Sequence, residues 1–263
     1  MIIDFHTHCF PEDMAYKVVP VLADMAGIKP CLTGTIDELK ESMVKAGIDC
    51  CVLQNIATRP QQTKTINSWA AQVQDDMIIS FGSLHPDYTD WEEELERIEG
   101  LGIKGLKFHP DYQKFVIDDE KMYKIYEKIF SLDLIILFHA GLDIGLEPPY
   151  HCTPDKLLKV IDLFPEGKII AAHMGSYAYW KQVEELLAGK NIFFDTSYSY
   201  NDLGKGKMSR LIKLHGADKV LFGTDSPWTD QSKELQNFNS LDLTPEEKHK
   251  ILGDNALKLL NLR

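Results

Sequence analysis

The first eight residues, Met1-Ile2-Ile3-Asp4-Phe5-His6-Thr7-His8, put two imidazoles one residue apart at the end of an apolar run. If that run is a strand, alternate side chains share a face, so Asp4, His6 and His8 point the same way. Two neighbouring imidazoles are half of a site for a divalent metal. The other half must come from later in the chain, and the pattern recurs there. Lys107 and His109, His139, His173 and Asp225 each stand at or just past the end of another apolar run. Imidazole and carboxylate suit zinc, and a metal-bound water ionises near pH ~7, making hydroxide available. A carboxylate beside such an ion can accept a proton, and neutral imidazoles can donate to a developing oxyanion.

These side chains are useful only if their strands bring them together. Eight runs read as buried strands: 1–6, 49–54, 77–82, 105–109, 134–139, 168–173, 191–196 and 219–224. They are apolar on both faces, as parallel strands covered by helices are. Helical patterns lie between them, at 35–46, 90–100, 118–130, 153–164, 179–188 and 207–215, and the acidic stretch Trp91–Glu99 reads as a solvated helix face. Thr35-Ile36-Asp37-Glu38 and Thr244-Pro245-Glu246-Glu247 open helices as capping boxes do. Alternating strand and helix implies right-handed crossovers, and eight such units imply an α/β fold, a closed (β/α)8 barrel. The competitor is a doubly wound open sheet, but no Gly-rich phosphate loop follows the first strand. No linker or low-complexity tract divides the chain, so residues 1–263 read as a single domain. In a barrel the C-terminal strand ends ring one pocket. The segment 11–34 is expected to carry a helix over the first strand's end, and 197–206 reads as a mobile loop.

A formal charge of −12 over 263 residues disfavours a nucleic-acid or anionic-membrane surface and leaves a small-molecule substrate. No apolar run approaches a membrane span. Five cysteines with no CxxC pair fit a reducing cytoplasm and read as small core residues. A homo-oligomer is compatible with this composition.

Five motifs in order are the most specific signal: Asp4-Phe5-His6-Thr7-His8, Gly105-Leu106-Lys107-Phe108-His109-Pro110, Phe138-His139-Ala140, Ala172-His173-Met174-Gly175 and Phe222-Gly223-Thr224-Asp225-Ser226-Pro227. Together they resemble the amidohydrolase superfamily, in particular its amidohydrolase-related branch, which holds decarboxylases (ACMS decarboxylase-like) as well as hydrolases. The resemblance implies that His6, His8 and His139 are nitrogen ligands of a divalent metal, zinc before others. It implies that Asp225 is a ligand or the base that takes a proton from bound water. His173 would bind a second metal or activate water. Lys107 would, in a binuclear site, be a bridging carbamate, and His109 would polarise a substrate carbonyl.

The bland reading of Lys107 is a structural lysine paired with Asp225 or Asp4. Arg59 offers a fork for a substrate carboxylate; Tyr198 and Trp228 could line the pocket, as could Tyr150, His151 and Tyr200. The expected activity is hydrolysis of a small, anionic metabolite by metal-activated water. The alternative is metal-dependent, non-hydrolytic decarboxylation of an unsaturated or aromatic acid. A TatD-like phosphodiesterase is disfavoured, because that group carries Glu where Lys107 stands.

Overall fold

The computed structural model describes residues 1–262. Eight parallel strands form two ladders: β1 (Ile3–Thr7), β2 (Cys50–Gln54) and β3 (Ile78–Phe81) in one, β4 (Gly105–Phe108), β5 (Ile135–Phe138), β6 (Ile169–Ala171), β7 (Phe193–Asp195) and β8 (Val220–Leu221) in the other. Single backbone bonds join the ladders at both seams. Gly82 donates to Gly105 and accepts from Lys107, each at 2.9 Å; Phe5 donates to Phe222 at 2.7 Å, and Asp225 to His6 at 2.7 Å. The ring is a (β/α)8 barrel, as expected from the alternation. β5 shows why its strands are apolar on both sides: Ile135 and Leu137 fill the barrel, while Ile136 and Phe138 pack against the outer helices.

The outer layer comprises α1 (Glu12–Ala26), α2 (Ile36–Ala46), α3 (Thr63–Gln72), α4 (Trp91–Gly100), α5 (Pro110–Gln113), α6 (Glu120–Ser131), α7 (Pro154–Leu163), α8 (Trp180–Leu186), α9 (Tyr200–His215), α10 (Gln231–Asn239), α11 (Pro245–His249) and α12 (Asn255–Leu259). Thr35 and Thr244 cap α2 and α11 through their side chains. No helix among the described residues is long and apolar enough to cross a membrane.

Four readings of the sequence need correction. The segment 197–206 is not a loop throughout: α9 begins at Tyr200 and runs to His215, with a break at Gly204, whose φ of 66° no helical residue has. The eighth strand has only two ladder residues, because 222–224 turn to meet β1. The acidic α4 is not wholly solvated. Glu94 is buried, held by Arg97 and by Asn67 at 2.7 Å. Asp4 does not share the pocket with His6 and His8, because the β1–β2 register slips between Asp4 and Thr7. Asp4 instead accepts from the Thr224 amide, the Thr224 hydroxyl and Gln231, clamping β8 to β1.

His215 stacks on Phe194 with ring centroids 3.7 Å apart and is buried. Its Nε2–H donates to the Ile192 carbonyl at 2.9 Å, and its Nδ1 accepts from Gly189 at 3.2 Å, which fixes the neutral form. Burial pushes its pKa down from 6.5 to about 4. Below pH 6.5 the unfolded chain binds a proton that the folded one refuses, so this contribution is full above pH 6.5 and is lost as pH falls towards 4. Urea melts between pH 7 and 4 are expected to show His215→Gln lacking about 3 kcal/mol of the wild-type acid loss; an identical pH slope in both would contradict this.

Candidate metal centre and pocket

The C-terminal strand ends surround a cavity of about 580 Å3. Its floor carries His6, His8, Lys107, His109, His139, His173 and Asp225, so all the ring residues named from sequence line one pocket. Tyr198, Trp228 and the exposed Arg59 line it further out. Tyr150, His151 and Tyr200 do not line it; they bond Leu146, Asp111 and Ser240 elsewhere.

The donor and acceptor pattern fixes what the floor can bind. His8 Nδ1 lies 2.9 Å from the Gln54 carbonyl, so it carries the proton and Nε2 carries a lone pair. His6 Nδ1 lies 2.8 Å from Asp195 Oδ2, which assigns its Nε2 the same way. Both lone pairs face Asp225 Oδ1, at 3.5 Å from His6 and 3.2 Å from His8. That oxygen is buried and receives no hydrogen bond. Three electron-rich atoms within 4.8 Å of one another, with no proton among them, fit a divalent cation. Lys107 Nζ already stands 3.1 Å from His6 Nε2.

His139 follows the same logic at one remove. His173 Nδ1 donates to the Ser197 carbonyl at 3.1 Å, so His173 Nε2 accepts from His139 Nδ1, also at 3.1 Å. His139 Nε2 is then a buried lone pair without a partner. In position it groups with His109 and Asp143 rather than with His6, His8 and Asp225. That second group is less suited to an ion of its own. His109 Nδ1 accepts from the Tyr112 amide and its Nε2–H donates to Asp143 at 3.0 Å, so both nitrogens are used. The His109 ring stacks on His139 with centroids 4.0 Å apart.

Burial keeps three of the imidazoles neutral: His6 is lowered to about 4, and His109 and His139 fall well below the ordinary range. Burial alone would raise Asp225, and protons on His6, His8 and His173 would hold the carboxyl well below its usual range; with those rings neutral, a metal cation beside them would do the same. Burial lowers Lys107 to about 8, so it remains a cation at pH 7. No carboxylate of the described residues lies within 4.0 Å of it, so the expected pairing with Asp225 or Asp4 is not a direct one.

The backbone is strained where the chemistry sits. His173 and Asp225 have φ of 60° and 71°, in the left-handed region that costs a non-glycine residue about 1–2 kcal/mol. The His173 amide is held by Asp195 Oδ1 at 3.0 Å, and the Asp225 amide by the His6 carbonyl. Gly223 permits this seam, since a Cβ there would lie 2.9 Å from His6 Cβ.

Asp195 and Asp143 were not singled out from the sequence. Asp195, fully buried, takes the His6 imidazole, the His173 amide and the Ser197 amide and hydroxyl. Its signal was present: it ends the Phe193-Phe194-Asp195 strand just as the other site residues end theirs. Asp143 lies in a loop and carries no such signal. Because Asp195 sets the His6 tautomer, Asp195→Asn is expected to weaken divalent-metal binding about 10–100-fold in a chelator competition titration. Unchanged affinity would contradict its role.

Comparison with known proteins bears on the fold and the family. No curated protein matches the sequence. Among solved structures, a 5-carboxyvanillate decarboxylase from Sphingomonas paucimobilis aligns with a TM-score of 0.75 at 15% identity, over 100% of this chain and 99% of that one. A 2,6-dihydroxybenzoate decarboxylase from Rhizobium aligns at 0.72 and 19%, over 99% and 98%. A dihydroxybenzoic acid decarboxylase from Polaromonas sp. JS666, solved with bound manganese and 2-nitroresorcinol, aligns at 0.74 and 19%, over 99% and 96%. At these identities the likeness is one of fold. The family model Amidohydro_2, described as Amidohydrolase, matches residues 3–262, and the chain belongs to that family.

Proposed function

We propose that this protein is a metal-dependent decarboxylase of a small aromatic acid bearing a hydroxyl beside its carboxylate. The observation that carries the reading is the convergence of the His6, His8 and Asp225 lone pairs on the floor of a largely apolar cavity. The structural neighbours that are decarboxylases of hydroxylated aromatic acids support it over the hydrolase expected first. His6, His8 and Asp225 would hold the ion, with the unpartnered His139 Nε2 reaching in from the neighbouring group to complete the set. A divalent metal there would supply a fixed positive charge that orients the acid's oxygens. Zinc follows from the ligand types, and manganese is what one neighbour carries.

The chain's own groups do the rest. Asp225, ionised at neutral pH, takes the proton of the neighbouring hydroxyl on its second oxygen and returns it to the ring carbon as CO2 leaves. The oxygen left anionic on the ring is reprotonated from solvent, so one proton is consumed per CO2 released. Lys107 balances the charge of the bound carboxylate. His173 fixes the His139 tautomer, and Asp143 holds His109 at the cavity wall with its ring against His139. The apolar walls exclude water, which strengthens each of these interactions.

Metal-loaded protein is expected to release CO2 from 2,6-dihydroxybenzoate or a close relative, with solvent deuterium appearing at the vacated carbon. Asp225→Asn is expected to slow release about 10^2–10^4-fold. Turnover of an ester, lactone or amide panel with no CO2 from any acid would return the protein to the hydrolases.

A further inference from the structure

One wall of the cavity belongs to neither the metal centre nor the barrel. The helix α1 borders the cavity that opens at the end of β1. Its Ala15, Val19 and Ala23 are buried, while Met14, Val18 and Leu22 line the cavity. These three recur every fourth residue, so they form one apolar stripe about 12 Å long. Ile66 and Trp69 of α3 face the same cavity across from it. Met14 is 44% exposed, and Val18, Leu22, Ile66 and Trp69 are each only partly covered, although they have apolar side chains. Among the described residues, the lysines and arginines that line the cavity are Lys107 on the floor and Arg59 at the exposed edge. The stripe itself offers nothing to pair with a charge.

We infer that the substrate carries an uncharged apolar substituent, an alkyl or aryl-alkyl chain, that runs from the ring along the Met14–Val18–Leu22 stripe. The inference rests on the carboxylate being bound at the floor, and it adds what fills the remaining volume. A cavity of about 580 Å3 falls within the range of about 300–1,000 Å3 that holds ligands well beyond a single ring. A second carboxylate laid on this wall would be desolvated without a partner, so the wall selects against diacids while favouring monoacids with a tail.

The test uses two ligand series on manganese-loaded protein by titration calorimetry. One is 2,6-dihydroxybenzoate with methyl, propyl and pentyl groups at the 4-position. The other is resorcinol with the same groups at the 5-position, which lacks the carboxylate. Affinity is expected to rise about fourfold per methylene in both. Val18→Asp is expected to cut that gain below twofold, while Tyr16→Asp, on the outer face of the same helix and 60% exposed, keeps it. A flat or falling series in both ligands overturns the tail, whether or not the parent acid loses CO2. A rising resorcinol series with no CO2 from any of the acids sustains the apolar subsite and overturns the decarboxylase reading instead.

Discussion

Everything at this site depends on where three protons are. His6 gives its Nδ1 proton to Asp195, His8 gives its own to the Gln54 carbonyl, and His139 gives its own to His173, which is fixed in turn by the Ser197 carbonyl. Each bond removes one of two tautomers. What remains is a set of inward lone pairs, two of them facing the ionised Asp225, whose repulsion the Lys107 ammonium beside His6 offsets in part and a metal cation among them would remove. The fixed partners are backbone carbonyls and buried side chains at strand ends, so the barrel itself sets the tautomers.

The seam between β8 and β1 is the mechanical counterpart. Asp225 and His6 come from opposite ends of the chain and meet because the Asp225 amide bonds the His6 carbonyl, Gly223 leaves room for His6, and Asp4 ties down Thr224. The same contacts hold Asp225 at a positive φ that its own side chain disfavours. Strain concentrated at two site residues, His173 and Asp225, is tolerated because neighbours over-determine both. The walls complete the division of labour. The floor is polar and rigid, built from strand ends, while α1 and α3 contribute an apolar boundary that can change without disturbing the ligands.

Much of this was legible in the sequence, for identifiable reasons. Strands buried on both faces are short apolar runs, so all eight could be found, and their last residues named the ring from His6 to Asp225. The capping boxes at Thr35 and Thr244 are local chemistry and appear where expected. What escaped lacked a local signal or carried a misleading one. Asp195 had the right position, but a lone acid at a strand end also reads as a solvated charge. The polar, glycine-containing start of α9 hid a helix whose stability comes from packing rather than propensity. Glu94 looked like one more carboxylate in an acidic stretch, and only its tertiary partners Asn67 and Arg97 make it a buried one. Asp4 lost its place in the pocket to a register slip that no periodicity predicts.

X-ray absorption spectroscopy of the protein loaded with one equivalent of Zn2+ tests the account most directly, because it reads the atoms around the ion rather than its consequences. The expected result is a shell of imidazole nitrogens at about 2.0–2.1 Å completed by carboxylate oxygen. An all-oxygen shell, or a protein that does not retain the ion through gel filtration, would mean that the inward-facing nitrogens of His6, His8 and His139 serve some other purpose.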